Sequence, residues 1–310
     1  MPSTLKGDTS MSRNKEIQND TLGNRMKAYE ELSTSRQLMP NCPVYARIDG
    51  RAFHTFTRGL KKPFSEAFIC AMQSTCQMLV EATGANLGYV QSDEISLGWK
   101  DFTKAPFEGR IQKLESVLAS MASAFFMHSV WFDVVEQPKD DNLEERCMKI
   151  PPTFDCRIFN VPDMMELANC FLWRENDAIK NSISGMALSF FSHKQLQGMN
   201  SEEKIAMMAE KGYDFYKDTP ESFRRGTFYQ RRKYTKVISA SELDKMPMKQ
   251  KENLSFCPET NEWYCTRARV TWIDIPYRLT HIANKVEVLF EEATAISNRV
   301  NSNPFQKEEI

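Results

Sequence analysis

Three short apolar runs constrain the fold of this chain more than any other feature of its sequence. Val44 to Ile48 forms the first run, and Leu87 to Val90 and Ile95 to Trp99 form the other two. Only Gln91 to Glu94 separate the second run from the third, which predicts two antiparallel strands joined by a tight hairpin. The first run is predicted to be a short strand that ends at Asp49.

Two segments with helical periodicity accompany these strands. Their apolar faces are formed by Phe68, Met72, Cys76 and Leu79 in the first segment, and by Leu114, Val117, Leu118, Met121 and Phe125 in the second. A fourth strand is predicted at Ser129 to Val135, which is rich in β-forming residues. The resulting order, strand, helix, strand, strand, helix, strand, is that of the ferredoxin-like split βαβ unit. We therefore predict an α+β fold whose antiparallel sheet carries helices on one face, followed by an α/β C-terminal extension.

Acidic residues stand at two places that this topology brings together. Asp49 ends the first strand, and Asp93 and Glu94 lie in the hairpin loop. Because the first strand lies beside the hairpin in such a unit, Asp49 and Asp93 are expected to meet. Two such carboxylates can hold two divalent cations about 4 Å apart, as phosphoryl transfer requires, and the carbonyl of Gly50 is a further candidate ligand. Taken singly, Asp-Gly and Ser-Asp-Glu are also common turn sequences.

Phosphate groups could be held by the residues that follow Asp49. The backbone amides from Arg51 to His54 are candidates, and the side chain of His54 is either a nucleotide contact or a structural histidine. Four basic side chains are candidate phosphate ligands: Lys62, Arg110, Lys113 and Arg157. A solvated surface position is the simpler explanation for each of them taken singly.

The overall charge does not indicate a nucleic-acid-binding protein, because 40 basic residues are balanced by 41 acidic residues. The segment from Arg224 to Lys236 is an exception, since it interleaves basic and aromatic residues without an acidic one. This composition suits RNA, with cations for phosphates and rings for stacking, and an ordinary exposed strand fits it equally well. The candidate RNA contacts in this segment are Arg224, Arg225, Arg231 and Arg232.

Other features of the chain set its broad class. No apolar run reaches the length of a membrane span, and the eight cysteines do not follow zinc-ribbon spacing. These features predict a cytoplasmic protein with reduced thiols. We expect a flexible tail at residues 1–20, a palm-like catalytic core at 21–150, and at 151–310 the remainder of the catalytic domain with a C-terminal region for RNA binding and oligomerisation.

Several short motifs occur in a fixed order over roughly residues 22 to 235. They are Leu22 to Lys27, Arg47 to His54, Lys62-Pro63, Gln91 to Ser96, Phe154 to Arg157, Trp173-Arg174 and Arg224 to Thr227. In combination they closely resemble the tRNA-histidine guanylyltransferase family. The resemblance implies a palm-type catalytic domain and 3′–5′ addition of nucleotides, in which the 3′-hydroxyl of a nucleoside triphosphate attacks an activated 5′ end of tRNA.

The resemblance also implies roles for individual residues. Two Mg²⁺ ions would be bound by Asp49, Gly50 and Asp93, with Glu94 as a further catalytic acid. The implied nucleotide-binding residues are Arg47, Asp49, Gly50, Arg51, Ala52, Phe53, His54, Lys62, Ser92, Asp93, Arg110 and Lys113. Arg157 is expected to contact RNA. GTP or another nucleoside triphosphate is the implied substrate, ATP a possible activating nucleotide, and a homotetramer the implied assembly.

The chain departs from the eukaryotic family pattern at two places. Ile179 to Ile183 lacks the histidine of a His-Ile-Asn-Asn stretch, and Phe64-Ser65 replaces an Asn-Asp pair after Lys62-Pro63. Asn181 to Ile183 and Phe191 to Leu196 look more like bacterial and phage tRNA-histidine-guanylyltransferase-like proteins. This likeness implies repair of tRNA 5′ ends as an alternative to guanylylation of histidine tRNA.

Two other functions fit parts of the sequence. A nucleotide cyclase is another palm enzyme that uses two metal ions, but a diguanylate cyclase has a Gly-Gly-Asp/Glu-Glu-Phe hairpin, whereas this hairpin reads Gln91 to Ile95. A non-catalytic RNA-binding module on a ferredoxin-like sheet would leave Asp49 and Asp93 without a role.

Overall fold

The computed structural model describes residues 21–291, except residues 104, 133–140, 253 and 276. Within these residues the strands are β1 (Val44–Gly50), β2 (Leu87–Gln91), β3 (Glu94–Trp99), β4 (Phe154–Asn160), β5 (Thr227–Ile238), β6 (Ser255–Cys257) and β7 (Glu262–Ile273). The α-helices are α1 (Thr21–Thr34), α2 (Phe53–Phe56), α3 (Glu66–Thr83), α4 (Ile111–Phe132), α5 (Asp141–Lys149), α6 (Met164–Phe190), α7 (His193–Leu196), α8 (Ser201–Glu210), α9 (Phe215–Asp218), α10 (Glu221–Arg225), α11 (Ala240–Lys245), α12 (Met248–Lys251) and α13 (Lys285–Phe290).

All the strands belong to one antiparallel sheet, in the order β4-β1-β3-β2-β5-β7-β6. β1 lies between β3 and β4, so Ile48 has Ile95 on one side and Cys156 on the other. The predicted hairpin and its place beside the first strand are confirmed. The sheet continues across residue 150, because β4 begins at Phe154 and pairs along the whole of β1.

The fourth strand predicted at Ser129 to Val135 is wrong. Ser129 and Val130 are part of α4, and β4 is the strand that completes the predicted order. The buried positions of α4 continue at helical spacing through Phe126, Ser129 and Val130, so burial of this face outweighs the β propensity of the segment. Residues 133–135 lie outside the described part of the chain.

Alternate residues of β1 enter two different cores, as the period of two in a strand requires. Ala46 and Ile48 face α3 and α4 and belong to the larger core. Tyr45 faces α6 and packs edge-on against Phe171, with ring centroids 5.4 Å apart. The palm unit therefore carries α3 and α4 on one face, as predicted, while α6 of the C-terminal part covers the other.

The ends of α3 follow directly from its sequence. Ser65 caps the helix, since its hydroxyl accepts a hydrogen bond from the backbone N–H of Phe68 at 3.3 Å. Glu66 lies in the first turn, where the helix dipole favours a negative charge. Gly84 ends the helix with a φ of 69°, a left-handed conformation that glycine adopts without strain.

The C-terminal strands extend the sheet into an arm, which consists of β5 from Arg231 to Ile238 together with β6 and β7. β2 pairs with β5 only from Thr227 to Gln230, and beyond this point β5 pairs with β7 alone up to Ile238. β6 adds a short third strand to the arm.

No helix in the described ranges is long and apolar enough to cross a membrane.

Candidate active site

Asp49 and Asp93 are brought together by the end of β1 and the turn of the β2–β3 hairpin. The backbone N–H of Gly50 donates to the carbonyl of Asp93 at 3.0 Å. Asp49 lies directly opposite Glu94 in the register of β1 and β3. Ser92 turns the hairpin with a φ of 49°. The juxtaposition predicted from the strand order is therefore present.

The electrostatics of this pair favour a bound cation. Burial raises the pKa of Asp93, and the nearby negative charge of Asp49 raises it further. Hydrogen bonds from the backbone of Asp93 and from the side chain of Ser92 act in the opposite direction. Because like charges in a partly buried site oppose each other's ionisation, a cation between them would stabilise both carboxylates.

Glu94 is held by two arginines on the α6 side of the sheet. Its Oε1 accepts a hydrogen bond from Nε of Arg174 at 2.6 Å, and its Oε2 lies 3.9 Å from Nε of Arg47. Arg174 is held in addition by Asp177, at 2.7 Å. Since both oxygens of Glu94 face guanidinium groups, this geometry supports a positioning role and argues against the direct catalytic role predicted for it.

Gly50 is required by the packing beneath the site. A Cβ atom at this position would lie 2.5 Å from the ring of Phe53, which real Cβ contacts do not allow. That ring is itself buried, with Phe56 at 4.8 Å and Phe154 at 5.0 Å between ring centroids. The side chain of Phe53 is therefore part of the core, which leaves only its backbone for the nucleotide contact predicted from the sequence.

The other residues of this loop differ in what they can offer a ligand. The backbone N–H of Arg51 donates to the carbonyl of Thr153 at 2.8 Å, so it does not belong to the predicted phosphate cradle. Ala52 has a left-handed conformation with a φ of 56° and is exposed. The exposed ring of His54 is linked to the hydroxyl of Thr55 at 3.0 Å.

A cavity of about 230 Å³ opens beside the hairpin turn. Ser92 lines it from the hairpin, Lys62 from the loop before α3, and Asn181 from α6. The rings of Phe64 and Phe223, with centroids 4.9 Å apart, form an apolar part of the lining. Apolar walls with a few polar groups and a cation are suited to a nucleotide-like ligand.

Arg110 and Lys113 lie at the far end of the sheet. They stand at the start of α4, where Gly109 accepts a hydrogen bond from Leu38, whereas Phe126 later in the helix packs against Phe53 near the site. The 13 residues from Lys113 to Phe126 (126 − 113) span about 20 Å of helix. Arg110 and Lys113 therefore lie too far away to reach a nucleotide at the carboxylates of the same chain, contrary to the sequence prediction.

The predicted RNA-binding arginines fall into different environments. Arg225 is buried, donates to Glu175 at 2.7 and 2.9 Å, and also donates to the carbonyls of Ile275 and Tyr277. This burial argues against the RNA contact predicted for it. Arg224 is tied to Tyr216, whose carbonyl accepts from it and whose ring lies 5.7 Å away.

The arm separates the remaining two arginines. Successive side chains of a strand point to opposite faces, so Arg231 lies on one face and Arg232 on the other. Arg232 is directly opposite Arg269, and Tyr234 is directly opposite Arg267. The guanidinium of Arg269 lies 5.3 Å from the ring centroid of Tyr234. One face of the arm therefore carries three arginines around a tyrosine.

Sequence reasoning gave no role at the site to Asp155 or Arg174, and it did not indicate where Arg157, a predicted phosphate or RNA contact, would lie. The strand register places Asp155 beside Asp49, and Arg157 beside Arg47. No local pattern indicates this register, because β4 follows two helices. Arg174 could have been noticed, since Asp177 three residues later can pair with it on the same helix face.

Comparison with known proteins places the chain in a family. A model of the family described as tRNAHis guanylyltransferase matches residues 23–162. A bacterial tRNA(His) guanylyltransferase (Thg1)-like protein, solved in complex with ATP, is 38% identical, with a TM-score of 0.58 over 68% of this chain and 88% of that one. The chain belongs to the tRNA(His) guanylyltransferase family. It is thus an enzyme of the nucleotidyltransferase class.

Two other guanylyltransferase relatives agree with this assignment. A bacterial Thg1-like protein in complex with GTP is 29% identical, with a TM-score of 0.55, covering 82% of this chain and 91% of that one. The tRNA(His) guanylyltransferase of Schizosaccharomyces pombe is 27% identical over 217 residues, which cover 66% of this chain and 78% of the yeast protein. The structural likeness to the GTP-bound protein therefore extends over most of this chain.

Proposed function

We propose that this chain is a 3′–5′ nucleotidyltransferase that adds nucleotides to the 5′ end of tRNA. The observation that carries the proposal is the meeting of Asp49 and Asp93, held by the hydrogen bond from Gly50 to the Asp93 carbonyl. In the proposed reaction the 3′-hydroxyl of an incoming nucleoside triphosphate attacks the α-phosphorus of a 5′-triphosphorylated RNA end. The bond to pyrophosphate breaks as the new phosphodiester forms.

The residues present suit a pair of Mg²⁺ ions. Asp49 and Asp93 supply carboxylate oxygens and Gly50 can supply a carbonyl, all of them hard ligands. In the described residues no three histidine, cysteine or carboxylate side chains converge as a metal site. Mg²⁺ is commonly held by one or two carboxylates together with substrate phosphates, so two carboxylates are sufficient. When bound, such ions lower the pKa of an attacking hydroxyl and offset phosphate charge.

The cavity beside Ser92 is the proposed nucleotide site. Lys62 and Lys61 lie in its lining and supply positive charge for the triphosphate, while Phe64 and Phe223 offer apolar surface for a base. Arg47, which lies 3.9 Å from Glu94, borders the carboxylates on the α6 face of the sheet, the same face as Asp49. GTP is the proposed substrate and ATP a proposed activating nucleotide, because relatives were solved in complex with each of them.

The arginine-bearing face of the arm is the proposed surface for the body of the tRNA. Arg232, Arg267 and Arg269 lie on that face with Tyr234, and no acidic residue occurs in β5 or in β7 after Glu262. Clustered cations bind the phosphate backbone without sequence preference. We further propose repair of 5′ ends, because Ile179, which stands where the eukaryotic pattern has a histidine, is buried in an apolar cluster. A homotetramer is proposed from the family resemblance alone.

Incubation with tRNAs that lack their 5′ nucleotide tests the proposed reaction. With Mg²⁺ and labelled nucleoside triphosphates, we expect 5′ extension of RNA that carries a 5′-triphosphate, without a requirement for ATP. RNA with a 5′-monophosphate should be extended only if ATP is supplied for activation. Product length on a sequencing gel, and release of pyrophosphate, are the measurements.

The same assay separates the proposal from its alternative. A cyclic nucleotide formed from the triphosphate in the absence of RNA would identify a cyclase. Failure to extend RNA of either kind, with protein that is folded by circular dichroism, would refute the proposed reaction.

A further inference from the structure

Trp173 is an exposed aromatic side chain next to the carboxylates. It is 47% exposed, although tryptophan side chains are highly buried on average. It lies on α6, and the guanidinium of Arg47 is 5.3 Å from the ring centroid. Arg47 in turn is two residues before Asp49, on the same face of β1, a separation of about 7 Å along a strand.

The ring is held in place by a fixed set of charges. Arg174 lies 4.6 Å from the ring centroid and is itself held between Glu94 and Asp177. Cations against an indole are attracted by its electron-rich face. The orientation of Trp173 is therefore set before any ligand arrives, which reduces the entropy lost on binding.

The surface around Trp173 continues across the sheet away from the nucleotide cavity. Arg157 pairs directly with Arg47, and its side chain is 53% exposed. Phe159 follows on the same face of β4, is 40% exposed, and lies 5.5 Å from Tyr45 between ring centroids. This path of rings and cations starts beside the carboxylates and runs over open surface.

We propose that Trp173 is the stacking platform for the 5′-terminal base of the RNA substrate. Arg157, and Arg47 beside it, would contact the first phosphates of that strand. The inference rests on the proposed function, since it assigns the place of the RNA end in that reaction. In this arrangement the nucleotide reaches the carboxylates from the cavity beside Ser92, and the RNA end reaches them from the side of Trp173.

The observations favour an RNA end over a second mononucleotide at this position. The lining of the nucleotide cavity includes Ser92 and Lys62 but not Trp173 or Arg157. The surface at Trp173 is open and extends over several strand residues, as a polymer requires, and stacking on a ring is tolerant of base identity.

Binding of an acceptor-stem RNA to Trp173→Ala tests the inference. The RNA lacks its first nucleotide and carries at its new 5′ end either a normal nucleotide or an abasic one. For the normal RNA we expect Kd to rise about 5- to 150-fold in Trp173→Ala, the range typical of one stacked base. For the abasic RNA, Kd with unaltered protein should be higher by the same factor. Trp173→Ala should raise it no further, because the two changes remove the same stacking interaction.

Two variants serve as controls in this experiment. Trp173→Phe keeps a ring and should recover most of the affinity. Trp131→Ala removes a tryptophan that is 37% exposed on α4, which covers the opposite face of the sheet, and should leave Kd unchanged.

The outcomes separate this inference from the proposed function. If unaltered protein extends RNA but Trp173→Ala still distinguishes normal from abasic ends, the platform is refuted and the reaction stands. A rise in KM for the nucleoside triphosphate, without a change for RNA, would assign the ring to a nucleotide and also refute the inference. Absence of RNA binding and extension by unaltered protein would refute both.

Discussion

Replacing Asp49 or Asp93 by asparagine is expected to lower kcat/KM for nucleotide addition by at least about 1,000-fold, because a lost metal ligand removes several kcal/mol of transition-state stabilisation. Asparagine keeps the shape of the side chain and loses its charge. Single-turnover rates at saturating nucleotide, with Mg²⁺ varied, measure the effect and separate lost metal affinity from lost chemistry.

Folding should survive these substitutions. The pKa of Asp93 is raised by burial and by Asp49, so its charged form is disfavoured in the folded protein. A neutral asparagine therefore should leave the melting temperature of the protein unchanged or raise it. Asp155→Asn is the matched control, since Asp155 flanks Asp49 in the register but is 51% exposed and paired with Arg157. Equal loss of activity in the control would contradict a specific role for Asp49 and Asp93.

Replacing Arg225 by methionine is expected to destabilise the protein by about 3–5 kcal/mol, the usual cost of leaving one partner of a buried ion pair alone. Glu175 is fully buried, and Arg225 donates to it through two nitrogens, at 2.7 and 2.9 Å. After the substitution, the backbone N–H of Leu279, at 2.7 Å, would be the one remaining hydrogen-bond donor to Glu175 among the described contacts. Urea unfolding at equilibrium measures the change.

Two further variants test the cause of this loss. Glu221→Ala removes the exposed partner of Arg225 and should cost less than about 1 kcal/mol. Replacing Arg225 and Glu175 together by methionine removes both charges and should recover much of the stability, since apolar residues often substitute well for a buried pair. A cost below about 1 kcal/mol for Arg225→Met alone would contradict a structural role for this arginine.

The local parts of the fold could be predicted from the sequence. The hairpin at Gln91 to Glu94, the cap at Ser65 and the strand ending at Asp49 depend on neighbouring residues, and the order of elements then places Asp49 beside Asp93. Ser129 to Val135 was misassigned because β propensity is a weaker signal than helical burial, which depends on what α4 packs against.

The remaining differences concern side chains whose partners are distant in the sequence. Arg225 looks like a surface cation, because Glu175 and the carbonyl of Ile275 become its partners only when α6 and the C-terminal segment pack together. Arg110 lies near the hairpin in sequence but at the far end of the sheet, since α4 runs back along it. Trp173 is linked to the site by its contact with Arg47, which lies on β1 and not on the helix of Trp173.

Counting bound Mn²⁺ by electron paramagnetic resonance tests most directly whether Asp49 and Asp93 hold the metal ions. The protein is titrated in the presence of 3′-deoxy-GTP, which lacks the attacking hydroxyl and so cannot react. We expect two Mn²⁺ ions per chain with the unaltered protein, and fewer with Asp49→Asn or Asp93→Asn while Asp155→Asn remains normal. Unchanged Mn²⁺ binding in Asp49→Asn and Asp93→Asn would contradict the account.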